Sequence, residues 1–149
     1  MSLAMRTATA DDASAISSLV ETAFLAGIAP HYGEQGHSTF LDFVKPGVIA
    51  ERLNADNEAW VAVREGRGIV GYLELDGDHL KMLFVHPELQ RSGIGRRLLQ
   101  FLRVFRAGHT ITLNSAPNAD AFYLAMGFHP TGRKQQQNGI VFTPMEKKF

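Results

Sequence analysis

The sequence predicts an α/β fold whose central sheet is mixed but mostly antiparallel, has about six or seven strands, and is flanked by helices. Three observations carry this reading. Apolar residues recur at helical spacing over the first third of the chain. From Ala59 to Val85 the period changes to two, with short turn signals between successive runs. Beyond Val85, helical and strand-like stretches alternate to the C-terminus. At 149 residues the chain has the length of one ordinary domain and can bury roughly 70% of the surface its unfolded form exposes.

The stretch TADDASAISSLVETAF sets Ile16, Leu19, Val20, Ala23 and Phe24 on one helical face, with Thr9 and Asp12 spaced as a variant capping box. Met1 to Leu3 precede a second methionine, Met5, and are set aside, leaving a single domain over residues 4–149. Gly27 to His37 lacks periodicity and reads as a loop leading into TFLDFV. Pro46 suits the first turn of a short helix, GVIAERL. AWVAVRE, IVGYLELD and HLKMLFVH then form an antiparallel meander, its last turn marked by Asp76-Gly77. A helix runs from Gly93 to Arg106 with Ile94, Leu98, Leu102 and Phe105 as its inner stripe. TITLN is a strand, APNADAFYLAM a helix stopped by Gly127, and FHPTGR with IVFTPMEK a closing pair of strands around Asn138-Gly139.

Lysines plus arginines number 15, as do aspartates plus glutamates, so no global field recruits nucleic acid or an anionic membrane. The absence of cysteine excludes a disulfide framework, a thiolate metal site and a cysteine acyl-enzyme. No apolar run approaches the roughly 20 residues that span a bilayer, and no signal peptide is evident. The cytoplasm is the expected compartment.

In ELQRSGIG, residues 88–95, two glycines stand at a helix start and are followed by Arg96 and Arg97. A helix N-terminus offers unpaired N–H groups and about half a positive charge, and arginines there oppose the dipole. A bound diphosphate would offset them, and glycines would let it approach the N–H groups. A strand-to-helix turn that needs glycine for backbone reasons explains the same spacing. A dinucleotide fingerprint is absent, since Leu98 stands where its third glycine belongs, and no P-loop Gly-Lys-Ser/Thr follows.

LFVHPELQRSGIGRRLL resembles the acyl-coenzyme A binding segment of the GNAT-type N-acetyltransferases, with Val85, Pro87, Gln90, Gly93 and Gly95 matching its pattern. NSAPNADAFYLAMGF resembles that family's second segment, in which an asparagine after a strand precedes a helix carrying Phe-Tyr and ending in Gly-Phe. The resemblance covers nearly the whole chain from Met5. It implies the acyl-CoA N-acyltransferase fold with a splay after the fourth strand, acetyl-CoA as co-substrate, and no metal. Leu83, Phe84 and Val85 would offer main-chain groups to the pantetheine arm. Gln90, Arg91, Ser92, Gly93, Ile94, Gly95 and Arg96 would surround the pyrophosphate. Asn114 and Asn118 match polar positions near the coenzyme, with helix capping a competing role for Asn118.

Acyl transfer to an amine poses two proton problems. A lysine-like amine, with pKa about 10.4, must lose a proton, and the departing thiolate, near about 8.5, is helped by an acid that stays protonated. The resemblance puts Tyr123 in the general-acid position; Phe122 and Met126 are expected to supply the helix's apolar face. Glu74, on a central strand among apolar neighbours, is the candidate base, with a raised pKa if buried and a solvent-facing role as the alternative. His79 and His86 are rival bases. Phe24, His31 and Tyr32, with His79, are candidates for the acceptor pocket, although the aromatics equally suit the core. His31 and His37 lack a third ligand, so no metal site is expected. The expected activity is N-acetylation of a primary amine on a small molecule or peptide, by direct attack in a ternary complex. A non-catalytic acyl-CoA sensor and a binder of another phosphorylated ligand are the rivals. The chain is expected to be a monomer, or a homodimer paired through the IVFTPMEKKF edge.

Overall fold

A computed structural model describes residues 2–149. Its first strand, β1 (Leu3–Thr7), was not expected. β1 pairs antiparallel with β2 (Glu58–Arg64), Leu3 opposite Arg64, and Leu3 and Met5 pack against the core. Leu3, set aside on the sequence alone, is therefore part of the sheet. A 3₁₀ turn, Ala10–Asp12, leads into α1 (Ala13–Gly27). The expected capping box is present, the Thr9 N–H donating to Asp12 Oδ2 at 2.9 Å, and Arg6 ties the same carboxylate to β1 at 2.8 and 2.9 Å. Ile16, Leu19, Val20, Ala23 and Phe24 are all buried, as their spacing predicts.

The region expected to be a loop contains a helix, α2 (Glu34–Phe43), after a 3₁₀ turn at Ala29–His31. Gly36 lies inside it at a helix-propensity cost of about 1 kcal/mol. Tertiary contact overrides that cost. A Cβ on Gly36 would lie 2.3 Å from the carbonyl oxygen of Gly139, so only glycine lets the two backbones meet. Pro46 opens α3 (Pro46–Asn54) as expected.

β3 (Gly68–Asp76) and β4 (His79–Val85) complete the meander with β2. Then come α4 (Ile94–Phe105), β5 (Thr110–Ser115), α5 (Asp120–Ala125), β6 (His129–Pro130), β7 (Gln135–Gln137) and β8 (Ile140–Lys148). The strand order is β1-β2-β3-β4-β5-β8-β6, with β7 beside β8, and β4–β5 is its parallel pair. The closing strand expected in FHPTGR is divided: His129–Pro130 pairs near one end of β8, and Gln135–Gln137 forms the hairpin around Asn138-Gly139, both at positive φ. β8 thus lies between β5 and β6 in the sheet and also pairs with β7, so the edge expected to be open to a second copy is partly taken up, by β6 at Met145–Glu146 and by β7 at Ile140–Phe142.

Each face of the sheet carries a core. On one, α4 and α5 cover Trp60, Leu73, Leu75 and Leu113; on the other, α1 and α3 cover Val61, Tyr72 and Met82. Burying a large apolar side chain contributes about 1.5–3 kcal/mol. In α4 the buried stripe is Ile94, Leu98, Leu99 and Leu102. Phe105, expected in that stripe, is 48% exposed and stacks on Trp60 at 5.4 Å.

Candidate active site

The sheet opens between its fourth and fifth strands. β4 and β5 pair only at His79 with Thr112 and Leu80 with Leu113. Beyond these pairs the β4 groups that face β5 lack a strand partner, and a cleft of 1370 Å³ fills the gap. Leu83, Phe84 and Val85 line it, and the Val85 carbonyl accepts from the Gln90 side chain at 3.3 Å. From Val85 back to Leu80 the strand covers roughly 16 Å at its usual rise. The cleft therefore has a head at Gln90 to Arg96 and an apex at Leu80.

At the head, Arg91 and Gly93 both take left-handed backbone, at φ 65° and 89°. For Arg91 this costs roughly 1–2 kcal/mol, the kind of strain that persists at functional sites. The first α4 turn closes when the Arg97 N–H donates to the Gly93 carbonyl at 3.0 Å. The N–H groups from Arg91 to Arg96 have no acceptor among the described residues. The two glycines serve different ends. A Cβ on Gly93 would meet nothing within 4 Å, so its backbone angle is what favours glycine; a Cβ on Gly95 would lie 3.2 Å from Phe122 Cζ, so there the close packing of α4 on α5 does. The turn explanation holds for Gly93 and not for Gly95, and the turn is what leaves the N–H groups bare. Ser92 turns its hydroxyl to the Leu89 carbonyl and Ile94 its side chain into the core, so only their backbones face the head.

Tyr123 is buried between Phe122 and Phe128, at ring-centroid distances of 5.2 and 5.6 Å, and lines the cleft. Its hydroxyl has no protein partner, yet the described residues include no sealed, unpaired side-chain polar atom; the hydroxyl therefore opens onto the cleft. Burial pushes its pKa well above the ordinary tyrosine value. Tyr123 is itself the buried aromatic of α5, while half-buried Phe122, expected to fill that place, lies against Gly95. Asn114 and Asn118 also line the cleft. Asn118 does not cap α5, whose N-cap is Ala119; its amide packs against Gly27.

Glu74 does not occupy the expected place. It is completely buried beneath α3, outside the cleft lining, where Arg52 Nε, Asn57 Nδ2 and the Tyr72 hydroxyl donate to it at 2.8, 2.7 and 2.6 Å. Burial alone would raise its pKa, but the bonds from Arg52, Tyr72 and Asn57 outweigh burial and hold the carboxyl below the usual range. A carboxylate so held is a poor proton acceptor. Arg52 also stacks on Phe43, 3.9 Å from the ring centroid, and donates to the Phe43 carbonyl at 2.8 Å, so the network props one wall of the cleft.

The apex half is roofed by α2 and the β7–β8 hairpin. Thr39 Oγ1 donates to the Asn138 carbonyl at 2.8 Å and the Tyr32 hydroxyl to that of Val141 at 3.1 Å, beside the Gly36–Gly139 contact. Tyr32 lines this half as expected. Phe24 does not: it is fully buried and stacked on Phe40 at 4.1 Å. His31 is exposed and outside the lining. His79 lies at the apex with Nδ1 2.8 Å from Thr112 Oγ1, and burial, then Lys81, lowers its pKa. Lys81, which the sequence did not single out, also faces the cleft. The only available signal was a charge inside the otherwise apolar run LKMLFV.

A family model described as an acetyltransferase (GNAT) domain matches residues 28–149. A curated relative, the peptidyl-lysine N-acetyltransferase YjaB of Salmonella typhimurium strain LT2, is 36% identical over 77 residues, 51% of this chain and 53% of the relative. The match thus spans about half the length of each protein. Among solved structures, a GCN5-related N-acetyltransferase of Rhodopseudomonas palustris superposes with a TM-score of 0.83 at 23% identity, covering 100% of this chain and 97% of the other. The PaiA N-acetyltransferase of Thermoplasma acidophilum, solved with coenzyme A, gives 0.79 at 20% identity with 100% of both chains covered.

Proposed function

Since the chain belongs to the acetyltransferase (GNAT) family, we propose that it moves an acetyl group from acetyl-CoA to a primary amine of a small molecule or peptide, by direct attack in a ternary complex. The observation that supports this most is the row of unpartnered N–H groups from Arg91 to Arg96 at the head of a cleft whose lining includes the Tyr123 hydroxyl. The row seats the diphosphate, with each charge-assisted hydrogen bond contributing about 1.5–3 kcal/mol. The pantetheine arm runs along the unpaired edge of β4 and brings the thioester toward the apex. The relatives' acceptor, a peptide lysine, fits an amine entering from the roofed half. The cytoplasm is the proposed compartment; no helix among the described residues is long and apolar enough to cross a membrane.

Tyr123 serves the leaving group. Its raised pKa keeps the hydroxyl protonated across the working range, so it acts chiefly by donating a hydrogen bond to the departing sulfur. Tyr123→Phe is expected to lower turnover at least about tenfold, with acetyl-CoA affinity unchanged by calorimetry. Undiminished turnover removes the assignment.

With Glu74 sealed away, His79 is the proton acceptor. When Nδ1–H donates to Thr112, Nε2 presents a free lone pair, and the lowered pKa keeps the ring neutral at pH 7. A base works deprotonated, so the acidic limb of kcat/KM falls below the ordinary histidine value of about 6.5. His79→Ala is expected to cost about a hundredfold in turnover and to erase that limb; a retained limb assigns the base elsewhere. The proposal as a whole is tested by thiol release from acetyl-CoA over an amine panel. Tight binding without release from any amine favours the non-catalytic sensor.

A further inference from the structure

We infer that the acceptor carries a carboxylate near its reacting amine and that Lys81 recognises it. This deepens the acetyltransferase reading and rests on it. In the β3–β4 pairing the register shifts between Glu74–Met82 and Leu75–Leu80, leaving Lys81 as the extra residue of a β-bulge. Bulges re-aim side chains and gather beside active sites. Here the bulge lies at the apex, one residue beyond the last β4–β5 pair, and Lys81 points into the cleft over Phe43, its Nζ 5.4 Å from the ring centroid.

The cation is poorly matched by the protein. Its nearest carboxylate is Asp76, at 4.0 Å and 61% exposed. Asp42, the acid of the cleft lining among the described residues, is bound to Lys45 at 3.0 Å. Asn114, able to donate a hydrogen bond, lines the same cleft, and among the described residues its lining holds no carboxylate besides Asp42 to receive a second cation. An acceptor that is only cationic would meet Lys81 as a like charge. An amino acid, or a peptide amine with an acidic group close by, presents an anion to Lys81 while its amine faces the thioester; the ammonium loses its proton before attack, so the carboxylate is the charge left to be recognised.

Thiol release from acetyl-CoA tests this with two matched pairs: lysine against lysinamide, and a blocked Glu-Lys peptide against the Gln-Lys peptide. The carboxylate-bearing member of at least one pair is expected to have a kcat/KM about tenfold higher, expressed in KM. The pair that responds tells a free amino acid from a peptide. Lys81→Met is expected to abolish the preference within each pair, leaving acetyl-CoA affinity unchanged, and Lys81→Arg to keep it. Equal rates within both pairs, or a preference that survives Lys81→Met, overturns the inference while leaving acetyl transfer intact. Failure of every amine to release thiol, with acetyl-CoA still bound, overturns the acetyltransferase reading and the inference with it.

Discussion

Gly93→Glu is expected to weaken acetyl-CoA binding about a thousandfold or more, read as the disappearance of binding heat on titration. Two effects act in the same direction. At φ 89° a side chain is strained, so the loop shifts and the N–H row from Arg91 to Arg96 loses its alignment. Loss of two or three charge-assisted bonds, at about 1.5–3 kcal/mol each, already accounts for that factor. The new carboxylate also stands where the diphosphate would sit, as a like charge. Folding should survive, because the space around Gly93 is open and the residue is exposed. Gly95→Glu is a poorer probe, since it strikes Phe122 and disturbs packing as well as binding. A folded Gly93→Glu protein with native affinity would show that the diphosphate is held elsewhere.

Glu74→Ala is expected to cost about 3–5 kcal/mol of stability at neutral pH, because Arg52 is left as a mostly buried cation without its partner. Denaturant unfolding measures it, and a loss under about 1 kcal/mol would mean that solvent reaches Arg52. The pH dependence has a definite sign. Because the folded carboxyl ionises below the ordinary range, the unfolded chain binds a proton more readily than the folded one. The contribution of Glu74 is thus complete above the ordinary glutamate value of about 4.3 and is lost as pH falls through the folded value. The variant should lack that part of the acid destabilisation. Its effect on acetyl transfer should come through Phe43 and the cleft wall.

What the sequence revealed and what it hid have physical causes. Local patterns were legible: the α1 face, the Thr9–Asp12 box, Pro46 at a helix start and the Asn138-Gly139 turn depend on neighbours in the chain. α2 was hidden because its glycine answers to Gly139, far along the sequence. β1 was missed because its short run presents only Leu3 and Met5 to the core. Glu74 reads as an isolated acid in an apolar strand; only folding brings Arg52 and Asn57 to it, which turns an apparent base into a structural anion. Lys81 was overlooked for a related reason, since no single-strand pattern announces a bulge. The loop from Gln90 to Arg96 was the most legible part of the cleft because its unpaired groups lie in consecutive backbone atoms.

The touching glycines of the roof constrain how this scaffold diversifies. Where two main chains abut at Gly36 and Gly139, neither position can change without prising the clasp apart. New acceptor preferences must therefore be written in the side chains on either flank, Tyr32 just ahead of α2, Thr39 within it, and Asn138 and Val141 on the hairpin, while the clasp itself stays constant.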